Sequence, residues 1–129
     1  MKALMLVFCS VWFVFVGCKN ADNGELAANA AKTYYEYLLQ GKCDDFVAGM
    51  HQPDSIPESY RTQLVDNTRM FVAQMKKEHG GLKEVSVNGN SYNEKTQTCD
   101  AFLMLSFNNG DTEQIVVPMI LRDGLWLMR

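Results

Sequence analysis

The spacing of apolar residues predicts that the chain, after an apolar leader, begins with helices. From Glu25 to Gln40 apolar residues recur every three or four positions, which is the period of an amphipathic helix. Gly41 follows where a helix often ends in a left-handed residue. A short second helix is predicted over Asp44–His51, with Asp44 or Asp45 as its N-cap. Two helices are therefore expected before the first turn-rich stretch.

A third and longer helix is predicted to follow. The segment Ser55–Glu58 has the sequence of a capping box, in which the two side chains each accept a backbone N–H. The helix should begin there and run to about Glu78, because His79 is followed by Gly80 and Gly81. Its predicted apolar stripe consists of Tyr60, Leu64, Val65, Thr68, Phe71, Val72 and Met75.

After Gly81 the apolar period changes to two, which indicates strands. The predicted strands are Leu82–Tyr92, Gln97–Phe107, Thr112–Leu121 and Leu125–Arg129. Asn109 and Gly110 form the strongest two-residue hairpin signal in the chain. The pattern therefore predicts an α+β fold, with three N-terminal helices packed on a four-stranded antiparallel sheet.

The second and third predicted strands are apolar on both faces, and the helices can cover only one of them. We assign to the core the set that contains small residues: Cys99, Ala101, Leu103, Leu105 and Phe107. If the hairpin turn has two residues, the opposite face carries Phe102, Met104, Ile115 and Val117. That face is expected to be exposed and to bind a partner, most simply a second copy of the chain.

The leader has the parts of a secretory signal. Lys2 supplies a positive charge, Ala3–Val16 is apolar but too short for a stable membrane span, and Gly17 precedes Cys18. This arrangement looks like a bacterial lipoprotein signal, in which the chain is cleaved before Cys18 and that cysteine is acylated. The alternatives are an ordinary signal peptide and a buried apolar helix. We therefore predict a signal peptide over 1–17, a lipidated tether over 18–24 and one domain over 25–129.

Charge, cysteine count and histidine spacing limit the expected ligands and cross-links. The formal net charge is −3, and loss of Lys2 with the signal leaves about −4, so nucleic acid binding is not expected. Cys43 and Cys99 are the pair left in an oxidising compartment, and we predict a disulfide between them; two buried free thiols are the alternative. His51 and His79 have no partners at metal-ligand spacing, so neither a metal nor a cofactor is predicted.

Several stretches together resemble one protein family. These are the lipoprotein-like signal, the segment AAKTYYEYLLQGKCDDF, a long helix that ends in Gly-Gly, and the closing segment RDGLWLM. They look like the small bacterial lipoproteins of the domain of unknown function 4878, in the nuclear-transport-factor-2-like (NTF2-like, or cystatin-like) superfamily. The resemblance implies a curved antiparallel sheet around a long helix, with a cone-shaped cavity, and no established activity. Leu125 and Leu127 replace lysines common in the family, which extends the predicted apolar partner face.

Two hypotheses for the function follow. The first is a non-catalytic binding or scaffold lipoprotein of the cell envelope, exported and anchored by its lipid at the outer membrane, facing the periplasm or the cell surface. It would bind a small apolar ligand in a cavity lined by Tyr34, Tyr37, Leu38, Phe71 and Trp126, or a protein on its sheet face. The second is an enzyme of the isomerase or dehydratase kind that the superfamily contains, with Asp100 as its base. Strand alternation places Asp100 opposite Cys99, outside the cavity, so binding is favoured and no catalytic residue is assigned.

Overall fold

The computed structural model describes residues 22–52 and 56–129. Its helices are α1 (Asn23–Leu39), α2 (Cys43–Ala48) and α3 (Glu58–His79). Its strands are β1 (Leu82–Asn93), β2 (Thr98–Phe107), β3 (Thr112–Arg122) and β4 (Leu125–Met128). The strands pair antiparallel in the order β1-β2-β3-β4. The predicted α+β fold, with three helices on a four-stranded antiparallel sheet, is therefore confirmed.

Helix α1 begins slightly earlier than its apolar period predicts. The Asp22 carboxylate accepts a hydrogen bond from the Glu25 backbone N–H at 2.8 Å, which caps the helix at Asn23. Gly41 has a φ of 73°, in the left-handed region, as predicted. The small residues Ala27, Ala28 and Ala31 are fully buried, so the α1 backbone lies close to the sheet.

Helix α2 is shorter than predicted and begins one residue earlier, at Cys43. Asp44 and Asp45 therefore lie in its first turn, and Lys42 takes the N-cap position without a side-chain hydrogen bond. The two carboxylates still favour the helix, because they face the positive end of its dipole. Helix α3 begins at Glu58, after Pro57. The predicted hydroxyl cap, Ser55, lies outside the described residues.

The core lies between the helices and the inner face of the sheet. Its buried side chains from the strands include Val85, Cys99, Ala101, Leu103, Leu105, Met119, Trp126 and Met128. On α3 the predicted stripe is buried at Val65, Thr68 and Met75, whereas Tyr60 and Phe71 are exposed. The exposure of Phe71 is important because this residue borders a cleft.

The register between β2 and β3 differs from the prediction by one residue. A two-residue turn at Asn109 and Gly110 would pair Ser106 with Glu113, but Ser106 pairs with Thr112. The connecting residues 108–111 instead close with a hydrogen bond from the Phe107 N–H to the Asp111 carbonyl, at 2.9 Å. Because side chains alternate along a strand, a shift of one residue moves every side chain to the other face.

This shift corrects the predicted partner face. Ile115 and Val117 pair with Leu103 and Ala101 on the inner face, so their assignment to the exposed face is wrong. Val116 takes their place opposite Phe102. We call the apolar residues on the side away from the helices the outer apolar face: Phe102, Met104, Val116, Ile120, Leu125 and Leu127.

The predicted disulfide is not formed: Cys43 and Cys99 are both free, and both are buried. Cys43 packs with Val47 and Val65 where α2 meets α3, whereas Cys99 belongs to the main core under α1. The two thiols therefore lie in separate apolar clusters. Burial raises the pKa of the Cys99 thiol, which disfavours its reactive thiolate form.

The chain after α2 covers the free edge of β4. The Met128 N–H donates to the Gly49 carbonyl at 2.8 Å, and the His51 N–H donates to the Met128 carbonyl at 2.6 Å. These bonds satisfy backbone groups that an open edge would leave unpaired. No helix within residues 22–52 or 56–129 is long and apolar enough to cross a membrane.

Candidate functional site

A cleft of about 450 Å³ lies between α3 and the strands β2 and β3. Its apolar lining consists of Tyr35, Phe71, Met75, Leu105 and Ile115, and it is also bordered by Val116, whose position on β3 belongs to the outer face. Its polar lining consists of Gln74, Glu78, His79 and Glu113. Pockets that hold small organic molecules have volumes of about 300–1,000 Å³ and are apolar with a few polar groups. The cleft therefore has the size of a small-molecule site, with apolar and polar side chains in its lining.

The periods of the helix and the strands bring these side chains together. On α3 the lining residues recur at steps of three and four, so they share one face: Phe71, Gln74, Met75 and Glu78. Glu113 pairs with Leu105, and Ile115 lies two residues further along the same face of β3. The observed register therefore gives the cleft its strand wall, since the predicted register would turn Ile115 outward.

The floor of the cleft is apolar and its aromatic wall is held in place. Met75 and Leu105 are buried. Tyr35 packs edge-on against Phe46, with ring centroids 5.2 Å apart and planes at 89°. Burial raises the pKa of Tyr35, so its side chain is neutral at physiological pH. Phe71 completes this wall, and 42% of its surface is exposed.

His79 and Asp111 form a pair at the end of the cleft. The His79 Nδ1 lies 2.9 Å from the Asp111 Oδ2, and its ring stacks on Phe107 with centroids 4.3 Å apart. A carboxylate can only accept, so the His79 Nδ1 donates the hydrogen bond to Asp111. Hydrogen bonds from His79, and then from Asn109, hold the pKa of the Asp111 carboxyl below its usual value.

The rim of the cleft carries two exposed carboxylates. Glu78 accepts a hydrogen bond from the Gln74 side-chain amide at 3.0 Å. Its other oxygen lies 4.0 Å from the His79 Nε2. In the described part of the chain, no lysine or arginine forms an ion pair with Glu78 or Glu113. The rim is therefore acidic and open to water.

Of the five residues predicted to line a cavity, Phe71 alone is in this cleft. Leu38 and Trp126 are buried in the main core, with Tyr34 and Tyr37 packed against it. The Tyr34 hydroxyl donates to the Trp126 carbonyl at 2.7 Å, which is a structural role. These four residues do not line the cleft, because Tyr34, Tyr37 and Leu38 of α1 and Trp126 of β4 pack in or against the main core. Helix periodicity does not define which strand the α1 face meets.

The predicted base, Asp100, lies outside the cleft. It pairs with Pro118 on β3 and with Ser91 on β1, on the face opposite Cys99. This position agrees with the strand alternation in the sequence. Residues 22–52 and 56–129 contain no cluster of three histidine, cysteine or acidic side chains that could hold a metal ion. The predicted lipidation site, Cys18, falls outside the residues that the structure describes.

The sequence pattern does not point to most of the lining residues. The one available signal is helical spacing, which places Gln74 and Glu78 on the same face of the helix as Phe71. No spacing connects His79 with Asp111, which are 32 residues apart. They meet because the hairpin folds back on the end of α3, where the Asn109 N–H donates to the His79 carbonyl at 3.0 Å.

No protein-family model and no curated protein sequence matches this chain. Among solved structures, it is similar to a Campylobacter jejuni protein provisionally described as an NTF2-like transpeptidase. The two are 19% identical, with a TM-score of 0.62, and the match covers 78% of this chain and 94% of the other. The predicted NTF2-like fold is therefore confirmed. At this identity the likeness concerns the fold alone.

Proposed function

We propose that this protein is an exported, lipid-anchored binding module that holds a small, partly apolar molecule in the cleft. The observation that carries the proposal is the exposed Phe71 ring beside the buried floor of Met75 and Leu105. A Phe on the inward stripe of α3 would normally be covered by the core. Here it borders a space of about 450 Å³, which a ligand would fill.

A neutral fluorescent probe, N-phenyl-1-naphthylamine, tests this proposal. We expect saturable binding to the purified protein, with loss of most of the signal in Phe71→Asp. Met70→Asp is the matched control, because Met70 precedes Phe71 on α3 and 68% of its surface is exposed, outside the cleft. Equal binding by the two variants, or no saturable binding by the unmodified protein, would refute the proposal.

Export and anchoring are supported by the sequence of the leader. A charged Lys2, a short apolar run and Gly17 before Cys18 are typical of a lipoprotein signal. A lipid on Cys18 would hold the domain at a membrane without a spanning segment, and the outer membrane is our proposed location. Mass spectrometry of the protein from its native membrane tests this, with acyl chains on Cys18 expected. An unmodified Cys18, or a chain that retains Met1, would contradict it.

An enzymatic function is the alternative, and His79 is a better base for it than Asp100. Asp111 orients the His79 ring as a carboxylate orients a general base. We favour binding because the surrounding carboxylates are exposed, whereas catalytic sites usually exclude water. The similar protein's description as a transpeptidase does not change this preference. The described thiols, Cys43 and Cys99, are buried and outside the cleft, so neither is placed as a nucleophile.

We also propose that the outer apolar face pairs with a second copy of the chain. Val116 and Leu125 are 53% and 61% exposed, beside Phe102 and Met104 on the same face. Burying such a face between two copies would remove apolar surface from water. Light scattering should find a dimer that Leu125→Lys converts to a monomer. A monomer at high protein concentration would contradict this proposal.

A further inference from the structure

We infer that the occupant of the cleft is an organic cation, with an apolar or aromatic body and a protonated amine or quaternary ammonium group. This inference rests on the proposed binding function and adds the chemical class of the ligand. It follows from the positions of the carboxylates relative to the apolar floor, and from the absence of lysine and arginine from the cleft lining within the described residues.

Each carboxylate lies next to one of the two buried floor residues. Glu113 is paired with Leu105 across β2 and β3, so their Cβ atoms are about 5 Å apart. Glu78 follows Met75 by three residues on α3, and side chains at this spacing are neighbours on a helix. A ligand that covers the floor therefore places its polar group within reach of two negative charges.

The aromatic wall also suits a cation. Tyr35 and Phe71 both line the cleft. The face of an aromatic ring attracts an ammonium group placed within about 6 Å of the ring centroid. Tyr35 contributes no charge of its own, because burial raises its pKa. An apolar body and a cationic group can thus both contact the same lining.

An anion would have no counter-charge in the cleft. The lysine and arginine ion pairs of the described residues, Lys32 with Glu36 and Arg69 with Asp66, involve no lining residue. The remaining basic group is His79, whose Nδ1 is already bonded to Asp111. Negative ligands would therefore be repelled by Glu78 and Glu113, whereas a neutral ligand would gain nothing from them.

Three naphthalene probes with the same ring and different polar ends test the inference: 2-(1-naphthyl)ethylamine, 2-(1-naphthyl)ethanol and 3-(1-naphthyl)propanoate. We would titrate each into the purified full chain at neutral pH and low salt, and follow naphthalene fluorescence. The amine should bind most tightly and the carboxylate least. Since the rim is exposed, each of Glu78→Gln and Glu113→Gln should weaken amine binding about two- to five-fold and leave alcohol binding unchanged.

Glu94→Gln is the control, because it removes the same charge from the exposed β1–β2 turn, outside the cleft. It should not change amine binding. Added salt should reduce the preference of the unmodified protein for the amine over the alcohol, a measurement that does not depend on any variant. If the alcohol binds as tightly as the amine, the inference is wrong and the proposed function stands. If none of the three probes binds, both fail.

Discussion

The two adjacent valines of β3 give the most direct test of the strand register. Val117 is 4% exposed and pairs with Ala101 on the inner face, whereas Val116 is 53% exposed and pairs with Phe102 on the outer face. Val117→Ala removes two buried methyl groups, which is a transfer cost of about 1.6 kcal/mol, and the unfilled space raises the total to about 2 kcal/mol. Val116→Ala should cost no more than about 0.5 kcal/mol.

Urea denaturation followed by far-ultraviolet circular dichroism measures both changes. The midpoint of Val117→Ala should fall clearly while its slope stays the same, and its Tm should drop by roughly 8 °C or more. Val116→Ala is the matched control, since it makes the same chemical change one position earlier on the same strand. A larger loss of stability in Val116→Ala would favour the register with a two-residue turn, and equal losses would contradict the inward position of Val117.

Three further predictions concern the core and the hairpin. Cys43 and Cys99 should both react with an alkylating agent in denaturant without prior reduction, and resist it in the folded protein, because both are free and buried. Tyr34→Phe removes the hydrogen bond to the Trp126 carbonyl and should cost about 1 kcal/mol in urea denaturation. Asp111→Asn should destabilise the protein near neutral pH. The folded-state pKa of Asp111 is lowered, so its contribution is present above the ordinary aspartate pKa and is lost as the pH falls through the lowered value.

Each of these predictions has an outcome that would contradict it. A disulfide-linked peptide containing Cys43 and Cys99, found by mass spectrometry without reduction, would contradict the prediction that both thiols are free. A Tyr34→Phe protein as stable as the unmodified one would mean that water replaces the lost bond fully. For Asp111→Asn, the stability difference from the unmodified protein should hold from neutral pH down to the ordinary aspartate pKa of 3.8 and shrink below it. A difference that is unchanged at the acid end would exclude the bond to His79 as its source.

Sequence periodicity was sufficient to predict the elements of this fold. The three- and four-residue steps of α1 and α3, and the two-residue alternation of the strands, depend only on consecutive side chains. Gly41 ended a helix as expected, because a positive φ is a local requirement that glycine meets readily. Errors at the element ends were small, as at α2, where Asp44 lies one residue inside the helix.

The candidate site depended on features that periodicity does not describe. Phe71, one of the five residues expected around a cavity, borders the cleft. Tyr34 and Trp126 were predicted beside it, yet they pack together in the core near β4. The helical spacing of Tyr34 indicates only that one face of α1 is buried. The strand that this face meets depends on how α1 crosses the sheet, which many distant contacts determine together.

By itself the sequence determined which segments are helices and which are strands, and that a second apolar sheet face exists. Only the tertiary structure decided the register of β2 and β3, and with it the positions of Ile115 and Val117. It likewise separated Cys43 from Cys99 and brought His79 to Asp111. The physical reason is that secondary structure follows from interactions between residues close in sequence. Strand register and contacts between distant side chains depend instead on how the whole core packs.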